Sequence, residues 1–520
     1  MSDTGMRAKL REVHEARNLV LDKGRPDAVR KRRVRNLPTA RERIDSLLDP
    51  GSFREIGALV QPKRDNDFSQ DLQAPADGVI TGSGRINGRP VNVAAHDYTV
   101  QGGSSGVVGR RKLDRLMERS LDRGMPLVLM LEGGGHRIHD GMNAAHFAGA
   151  GPVFQTMSRL SGWVPVVALM LGQGFAGPTN YAAFADFVVM VKGQSTMGMA
   201  GPALVKAGTG IDIDKEELGG AKRQADKTGI ADLAVESEAD AIAAARQFLS
   251  YLPSNAGNAP PKKEEYVAED QEALLEIVPA DSRKVYDVRK VIAAIGDQGG
   301  VFEIKPRYAR NLVTCFIWLG GRSVGVIANQ AQSKAGILDT PASEKAAHFI
   351  ALCDAFGLPL LFLIDVPGFS IGPSAEDSGL GRRSGRMFFE LGVATVPRVS
   401  IVLRKGYGGG YFAMAGGRSF DADAAFAWPT AEICAMSIEG AVDVAFRRQF
   451  QDADDPVAAR KHLIDGIRDQ TGAVHSLADF GLDDVIDPRE TRQILIETFD
   501  TCPARHQDKS PPRIRPISPI

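Results

Sequence analysis

Along this chain the apolar residues gather in short, nearly uniform runs closed by glycine or proline. Gly124-Met-Pro-Leu-Val-Leu-Met-Leu-Glu132 is one such run and Val164-Pro-Val-Val-Ala-Leu-Met-Leu171 another. Runs of this length without polar alternation predict strands buried on both faces, as in a parallel sheet. Between them, apolar residues at helical spacing predict helices over Gly109–Leu121 and Ser343–Phe356, with Lys345 outside the apolar stripe of the second. Strand and helix in alternation predict an α/β fold.

The runs occur twice. Ile86-Asn-Gly-Arg-Pro-Val-Asn-Val is echoed by Leu319-Gly-Gly-Arg-Ser-Val-Gly-Val, with Gly88 and Gly321 lying 233 positions apart. Gly124–Glu132 returns 233 positions later as Gly357–Asp365, and Val164–Leu171 returns 232 positions later as Val396–Leu403. One spacing held over three blocks marks a tandem duplication. Pro253–Lys263, rich in Pro, Asn and charge, reads as the linker. The expected domains are therefore 1–260 and 261–520. Gly229-Ile-Ala-Asp-Leu and Gly481-Leu-Asp-Asp-Val match at 252 positions, so the second copy carries an insertion, expected within Arg447–Arg468.

Charge and composition narrow the class. Lys plus Arg number 63 against 64 Asp plus Glu, a formal net charge of −1, which offers no broad attraction for nucleic acid or membrane. The locally basic stretch Arg25–Arg43 reads as a solvated face or subunit contact. No apolar stretch approaches the ~18 residues that span a bilayer, and Met1–Asn18 lacks the apolar core of a secretion signal. Cys315, Cys353, Cys434 and Cys502 are too scattered for a disulfide framework or a zinc pair, which fits a soluble cytoplasmic protein.

Several motifs compete for the chemistry. Gly102-Gly-Ser-Ser-Gly106 matches a nucleophile elbow, but no partner Asp and His can be argued, and a glycine-rich turn is the better reading. Gly172-Gln-Gly-Phe-Ala-Gly177 matches a dinucleotide fingerprint, yet lies deep in the first copy without the acidic residue that should follow. His136, His139 and His146 lack metal-site spacing, and no metal is expected. More telling are Gly133-Gly134-Gly135 and Gly406-Tyr-Gly408-Gly409-Gly410, each of which follows a buried strand. If a helix starts just beyond, free backbone amides with a helix dipole behind them can stabilise an oxyanion. The residues alone leave open whether these glycines do that or only make tight turns.

At these residues the chain resembles the carboxyltransferase (β) subunits of biotin-dependent acyl-CoA carboxylases, the propionyl-CoA carboxylase type in particular. The likeness runs from about residue 35 to 500. It is carried by Leu37-Pro-Thr-Ala-Arg-Glu-Arg-Ile44 through Phe53, Asp77-Gly-Val-Ile-Thr-Gly82, Gly102-Gly-Ser104 and Glu217-Leu-Gly-Gly-Ala221. It continues in Asp365-Val-Pro-Gly-Phe369, Ala427-Trp-Pro-Thr-Ala-Glu432 and Asp487-Pro-Arg-Glu-Thr-Arg492. The resemblance implies two tandem crotonase-like domains, an acyl-CoA side first and a biotin side second. It further implies a hexamer whose sites join the first domain of one subunit to the second of another. Gly134 and Gly135 would then hold the thioester enolate of acyl-CoA, and Gly409 and Gly410 the urea oxygen of biotin. Gly102, Gly103, Tyr411 and Phe412 would border substrate. The chain has no Met-Lys-Met biotinylation site and no ATP loop, so carboxybiotin is expected on a separate biotin carboxylase and carrier (α) partner.

Some positions depart from the family. Gly133 stands for the usual Ser, His136 for Ala, Gln101 for Phe, and Lys222 and Arg383 for His, while Gly410 replaces Ala. Phe412 stands where propionyl- and acetyl-accepting relatives carry Asp, which predicts a changed acyl preference; packing against Tyr411 or Met414 is the simpler alternative. Two other readings share the scaffold: a decarboxylase or transcarboxylase subunit, and an inactive β subunit that serves assembly.

Overall fold

The computed structural model describes residues 5–64, 69–148, 151–420 and 422–506. The chain divides into two compact units between Asn258 and Ala259. The first holds strands β1 (Arg54–Ile56), β2 (Val79–Ile86), β3 (Arg89–His96), β4 (Leu127–Gly133), β5 (Val166–Phe175), β6 (Phe187–Val191), β7 (Thr196–Gly198) and β8 (Leu233–Val235). The second holds β9 (Phe302–Ile304), β10 (Leu312–Leu319), β11 (Arg322–Asn329), β12 (Leu360–Val366), β13 (Arg398–Tyr407), β14 (Ala424–Ala427), β15 (Glu432–Cys434) and β16 (Asp484–Val485).

Each unit builds one mixed sheet, and the two sheets share a topology. The first runs β1-β2-β3-β4-β5-β6-β8 with β7 beside β5; the second runs β9-β10-β11-β12-β13-β14-β16 with β15 beside β13. The leading three strands are antiparallel and the rest parallel. Every residue of β4 and β12 is buried, as their unbroken apolar runs require. In the first unit Leu113, Leu116 and Met117, on one face of the helix Val107–Arg123, pack with Leu127, Leu129 and Leu131 of β4. Such burial contributes ~1.5–3 kcal/mol for each large side chain.

Carboxylates start the parallel strands, and they too are duplicated. Val166 N donates to Asp186 Oδ2 at 2.8 Å while Asp186 N donates to Val166 O. Val188 and Asp232 repeat the pattern in the first unit. Arg398 with Asp423 and Ala425 with Asp483 repeat it in the second.

One sequence expectation is corrected. Lys345 is on no solvent face of the helix Thr340–Phe356; it is 1% exposed, and its Nζ donates to the carbonyls of Lys305, Tyr308 and Leu312 at 2.7–3.0 Å. Its counterpart 233 positions earlier, Lys112, reaches Ala76 O and Val79 O. A lysine stem spans apolar packing while its head closes a backbone loop, so helical periodicity alone misplaces it. The expected insertion lies between β15 and β16, where the helices Arg447–Gln451 and Pro456–Thr471 pack through Phe450 and Ile464 on Ile438 and Val442.

Candidate active site

In the first unit, β4 runs into Gly133 and the turn Gly134–Gly135. Gly133 has φ +109° and Gly135 φ +82°, where a side chain would be strained. Space also demands glycine at Gly133, since a Cβ there would stand 2.5 Å from Gly103 O. Gly103 is fixed reciprocally, with its own Cβ position 2.7 Å from Glu132 O. Gly134 differs: its φ is ordinary, and a Cβ there would meet nothing within 4 Å. Neither strain nor packing asks for glycine at that position, and its outer face is open.

The turn is pinned from behind. Ser105 N donates to Gly135 O and Arg137 N to Ser105 O, both at 2.9 Å. The Arg137 guanidinium, 2% exposed, binds Asp77 Oδ1 at 2.5 Å and Ser104 O at 3.2 Å. Asp77 Oδ2 in turn accepts Gly109 N. Beneath the turn, Glu132 is held by Arg32 at 3.1 Å and Arg43 at 2.5 Å, and Arg43 also binds Glu238. His136, beside the turn, has its imidazole pKa lowered, burial outweighing the attraction of Asp140.

No long helix backs Gly134–Gly135: the next one, Ile138–Gly141, has four residues. The helix-dipole part of the sequence expectation therefore does not hold for this turn. Ser104 donates its hydroxyl to Gln101 O within the turn itself, so the glycine-rich turn is the form taken by the Gly102–Gly106 motif. Gly102 lies at φ +62° with its Cβ direction open, and Gly103 lies buried on the β4 turn. Gly172 and Gly174 of the dinucleotide-like motif serve packing, because a Cβ there would strike Glu132 or Met170. The side chains of His139 and His146 lie outside the described residues. Among the described residues no three His, Cys, Asp or Glu side chains gather as metal ligands.

In the second unit β13 ends at Tyr407, and the helix Gly408–Ala413 starts at once. Gly409 and Gly410 occupy its first turn, whose amides have no partner within the helix, and no side chain caps it. A Cβ on Gly410 would come within 2.9 Å of Val366 and 3.0 Å of Gly368, so only glycine lets the two turns touch. Tyr407 donates its hydroxyl to Glu432 at 2.8 Å, and Glu432 accepts from Arg468 of the inserted helix at 3.2 Å. Burial and that carboxylate push the Tyr407 pKa upward. Below, Asp365 receives Arg404 at 2.9 Å, as Glu132 receives Arg43 in the first unit.

The pocket candidates separate. The Tyr411 ring is buried over Gly406, Gly416 and Gly417. Phe412 touches Tyr411 ring to ring at 5.6 Å yet stays 49% exposed, so packing does not consume it. Gln101 is held at φ +47° with its amide on Gln73 O. Arg383 pairs with Glu344. Sequence reading does not reveal Arg137, Asp77 or the Tyr407–Glu432–Arg468 chain, because their partners lie 25 to 60 positions away. The only available signal was that Asp77 and Glu432 fall in motifs that carry the resemblance and that Arg137 and Tyr407 border the two glycine turns; Arg468, in the insertion, carried none.

Comparison with known proteins agrees with this architecture. Residues 31–516 match the carboxyl transferase domain. The methylmalonyl-CoA carboxyltransferase 12S subunit of Propionibacterium freudenreichii subsp. shermanii is 40% identical over 97% of this chain and 96% of its own. The propionyl-CoA carboxylase carboxyltransferase subunit of Haloferax mediterranei is 38% identical over 94% and 95%. The crystal structure of transcarboxylase 12S, with methylmalonyl-CoA and methylmalonic acid bound, superposes with a TM-score of 0.93 at 38% identity, covering 99% of both chains. Two duplicated crotonase-like units, closed by these turns and matched end to end by such relatives, place the chain in the carboxyl transferase domain family, among the carboxyltransferase subunits of biotin-dependent acyl-CoA enzymes.

Proposed function

We propose that this chain transfers a carboxyl group between biotin and the α carbon of an acyl-CoA, with backbone amides as its main catalytic groups. The first unit is the acyl-CoA side, where Gly134 and Gly135 hold the thioester oxygen as it becomes an enolate. The second is the biotin side, where Gly409 and Gly410 face the urea oxygen. Carboxybiotin, borne by a separate carrier subunit, supplies the carboxyl group. The observation that carries the reading is Gly134, a glycine with ordinary φ on which a Cβ would meet nothing within 4 Å. A glycine that the fold itself does not need fits a surface that a ligand approaches closely. The capless glycine turn at Gly408–Gly410 supports the biotin side.

The surrounding residues hold rather than react. Arg137 and Asp77 fix the first turn, and Tyr407 with Glu432 fixes the second, so little reorganisation is needed as charge develops. Removing one such donor costs ~2.7–4 kcal/mol of transition-state stabilisation. Phe412 is half exposed beside the second turn, and we assign it to the border of the acyl pocket, where a ring in place of the family's expected Asp would change acyl preference. Further proposals are a hexamer, a biotin carboxylase and carrier partner, and a cytoplasmic setting, which suits four free cysteines. No helix among the described residues is long and apolar enough to cross a membrane.

The 40% identity to a 12S transcarboxylase subunit supports a second reading, transfer between two acyl groups without ATP. Co-purification from the native host, followed by bicarbonate fixation with an acyl-CoA panel, separates them. ATP-dependent product with a biotinylated partner supports the carboxylase. Carboxyl exchange without ATP supports the transcarboxylase. A complex inert toward every acyl-CoA refutes both.

A further inference from the structure

One face of the helix Val107–Arg123 packs on β4, and another lines a cavity of about 230 Å³ beside β1. Ile56, Val60, Val108 and Leu116 give that cavity an apolar lining, to which Lys112 adds its stem. The polar atoms among them are already engaged. Thr81 donates its hydroxyl to Ile56 O, and Lys112 Nζ donates to Ala76 O and Val79 O. A molecule entering here therefore meets hydrocarbon until it reaches the rim.

Three arginines form that rim. Arg111, Arg115 and Arg119 recur every fourth residue, so they stand about 6 Å apart along one line of the helix. Arg115 pairs with Glu118 at 3.3 Å, a contact open to solvent on both sides. Arg111 and Arg119 have no carboxylate partner among the described residues, and Arg119 Nε is buried with no hydrogen bond. Burial lowers the Arg119 pKa, and the like charges of Arg123 and Arg115 lower it further. Like charges at this spacing destabilise a helix, and the fold does not call for them. In the second unit the same helix positions, 233 residues later, carry Glu344, His348 and Leu352. Glu344 pairs with Arg383 and Leu352 is 1% exposed, so the matching face is closed there.

We infer that this slot binds a medium-chain carboxylate, a free fatty-acid anion, with its tail in the cavity and its head on the rim arginines, Arg119 foremost. The apolar lining accepts methylenes, with a gain for each one taken out of water. A guanidinium meets a carboxylate with two parallel hydrogen bonds, which partial burial strengthens. An anion at the rim also relieves the repulsion along the stripe. At about 230 Å³ the cavity is smaller than the ~300–1,000 Å³ of drug-sized ligand sites, which fits a chain of medium length better than a long lipid. None of these residues belongs to either glycine turn, so the site stands apart from the carboxyl-transfer reading.

Isothermal titration calorimetry of the full chain in its native assembly tests the site, with sodium octanoate as the probe. Octanoate should bind saturably. Octanol, which has the tail alone, and acetate, which has the charge alone, should each bind about tenfold or more weakly. Saturating propionyl-CoA should leave octanoate binding unchanged. Arg119→Gln should weaken octanoate by about tenfold or more. Val60→Trp, which fills the cavity and keeps all three arginines, should abolish binding, with thermal melting to confirm that both variants fold. If Val60→Trp fails to fold, Arg119→Gln decides the matter alone. A wild type that does not bind octanoate overturns the site, and a face covered by a neighbouring subunit would give that result. So does octanoate that propionyl-CoA displaces, or equal affinity in wild type and folded Arg119→Gln. Octanol binding as tightly as octanoate overturns the assignment of the arginines to a carboxylate.

Discussion

Ala176 holds the backbone at φ +58°, and its counterpart Gly408 holds it at φ +57°. At Ala176 ψ is −113°, a conformation that glycine adopts freely and alanine does not. The second copy therefore makes this turn without strain, and the first retains it despite a Cβ. Ala176→Gly should stabilise the chain by ~1–3 kcal/mol, read as a raised midpoint in urea. The reverse change is harsher, because a Cβ on Gly408 would also meet Ala435 O at 3.0 Å. Equal midpoints for Ala176→Gly and wild type would show that the turn carries no strain.

This pair also shows what a reader of the sequence can and cannot see. The duplication is legible because strands buried on both faces are written as unbroken apolar runs, and those runs keep their spacing. The turns mislead because glycine content is a poor guide to position. Gly134–Gly135 and Gly409–Gly410 look like counterparts, yet the spacing of 232 positions pairs Gly409 with Gly177. That signal was present in the chain and is outweighed by the visible run of glycines. Lys345, Asp77 and Arg137 were illegible for another reason: a buried charge is read through its partner, and each partner lies dozens of positions away.

Lys345 carries the second prediction. Three backbone carbonyls converge on its Nζ in a site where burial pushes the ammonium pKa down to about 7. Lys345→Met fits the stem but removes all three of those hydrogen bonds, leaving Lys305 O with the Tyr308 amide alone, at ~1–3 kcal/mol for each charged hydrogen bond lost. Lys112→Met removes two such bonds, and Ala76 O keeps the Val79 amide, so it should cost less. Urea denaturation of both variants checks the order, and a Lys112→Met loss equal to or larger than that of Lys345→Met would contradict it.

Asp186 yields a prediction in pH. It is buried, and burial, with Asp232 nearby, raises its pKa from 3.8 to about 7 despite the hydrogen bond from Val166 N. The folded chain therefore binds this proton over a window in which the unfolded chain has lost it. The contribution is fully present below pH ~4 and declines as pH rises toward ~7. Asp186→Asn keeps an oxygen for Val166 N and cannot ionise. Its stability relative to wild type should rise between pH 5 and pH 8, measured by urea midpoints at each pH. Parallel curves for the two proteins would rule out the buried carboxyl as a titrating group.

Phe412 offers the sharpest test of substrate choice. Its ring leans on Tyr411 at 5.6 Å but remains 49% exposed, one residue past a buried tyrosine and two past Gly410. The family resemblance sets this ring where propionyl- and acetyl-accepting members are expected to carry Asp, so the same turn would be met by an apolar ring instead of a charge. An apolar wall rewards each additional methylene by ~1–3 kcal/mol in transition-state binding, which a carboxylate cannot do. Phe412→Asp should therefore shift the ratio of kcat/KM between a longer acyl-CoA and propionyl-CoA toward propionyl-CoA by roughly tenfold or more. Phe412→Leu, which keeps the apolar surface and removes the ring, should hold the preference for apolar chains while altering its length dependence. If neither variant moves the ratios across an acetyl-to-octanoyl series, Phe412 packs on Tyr411 and nothing more, and acyl selectivity is set by residues of the first unit.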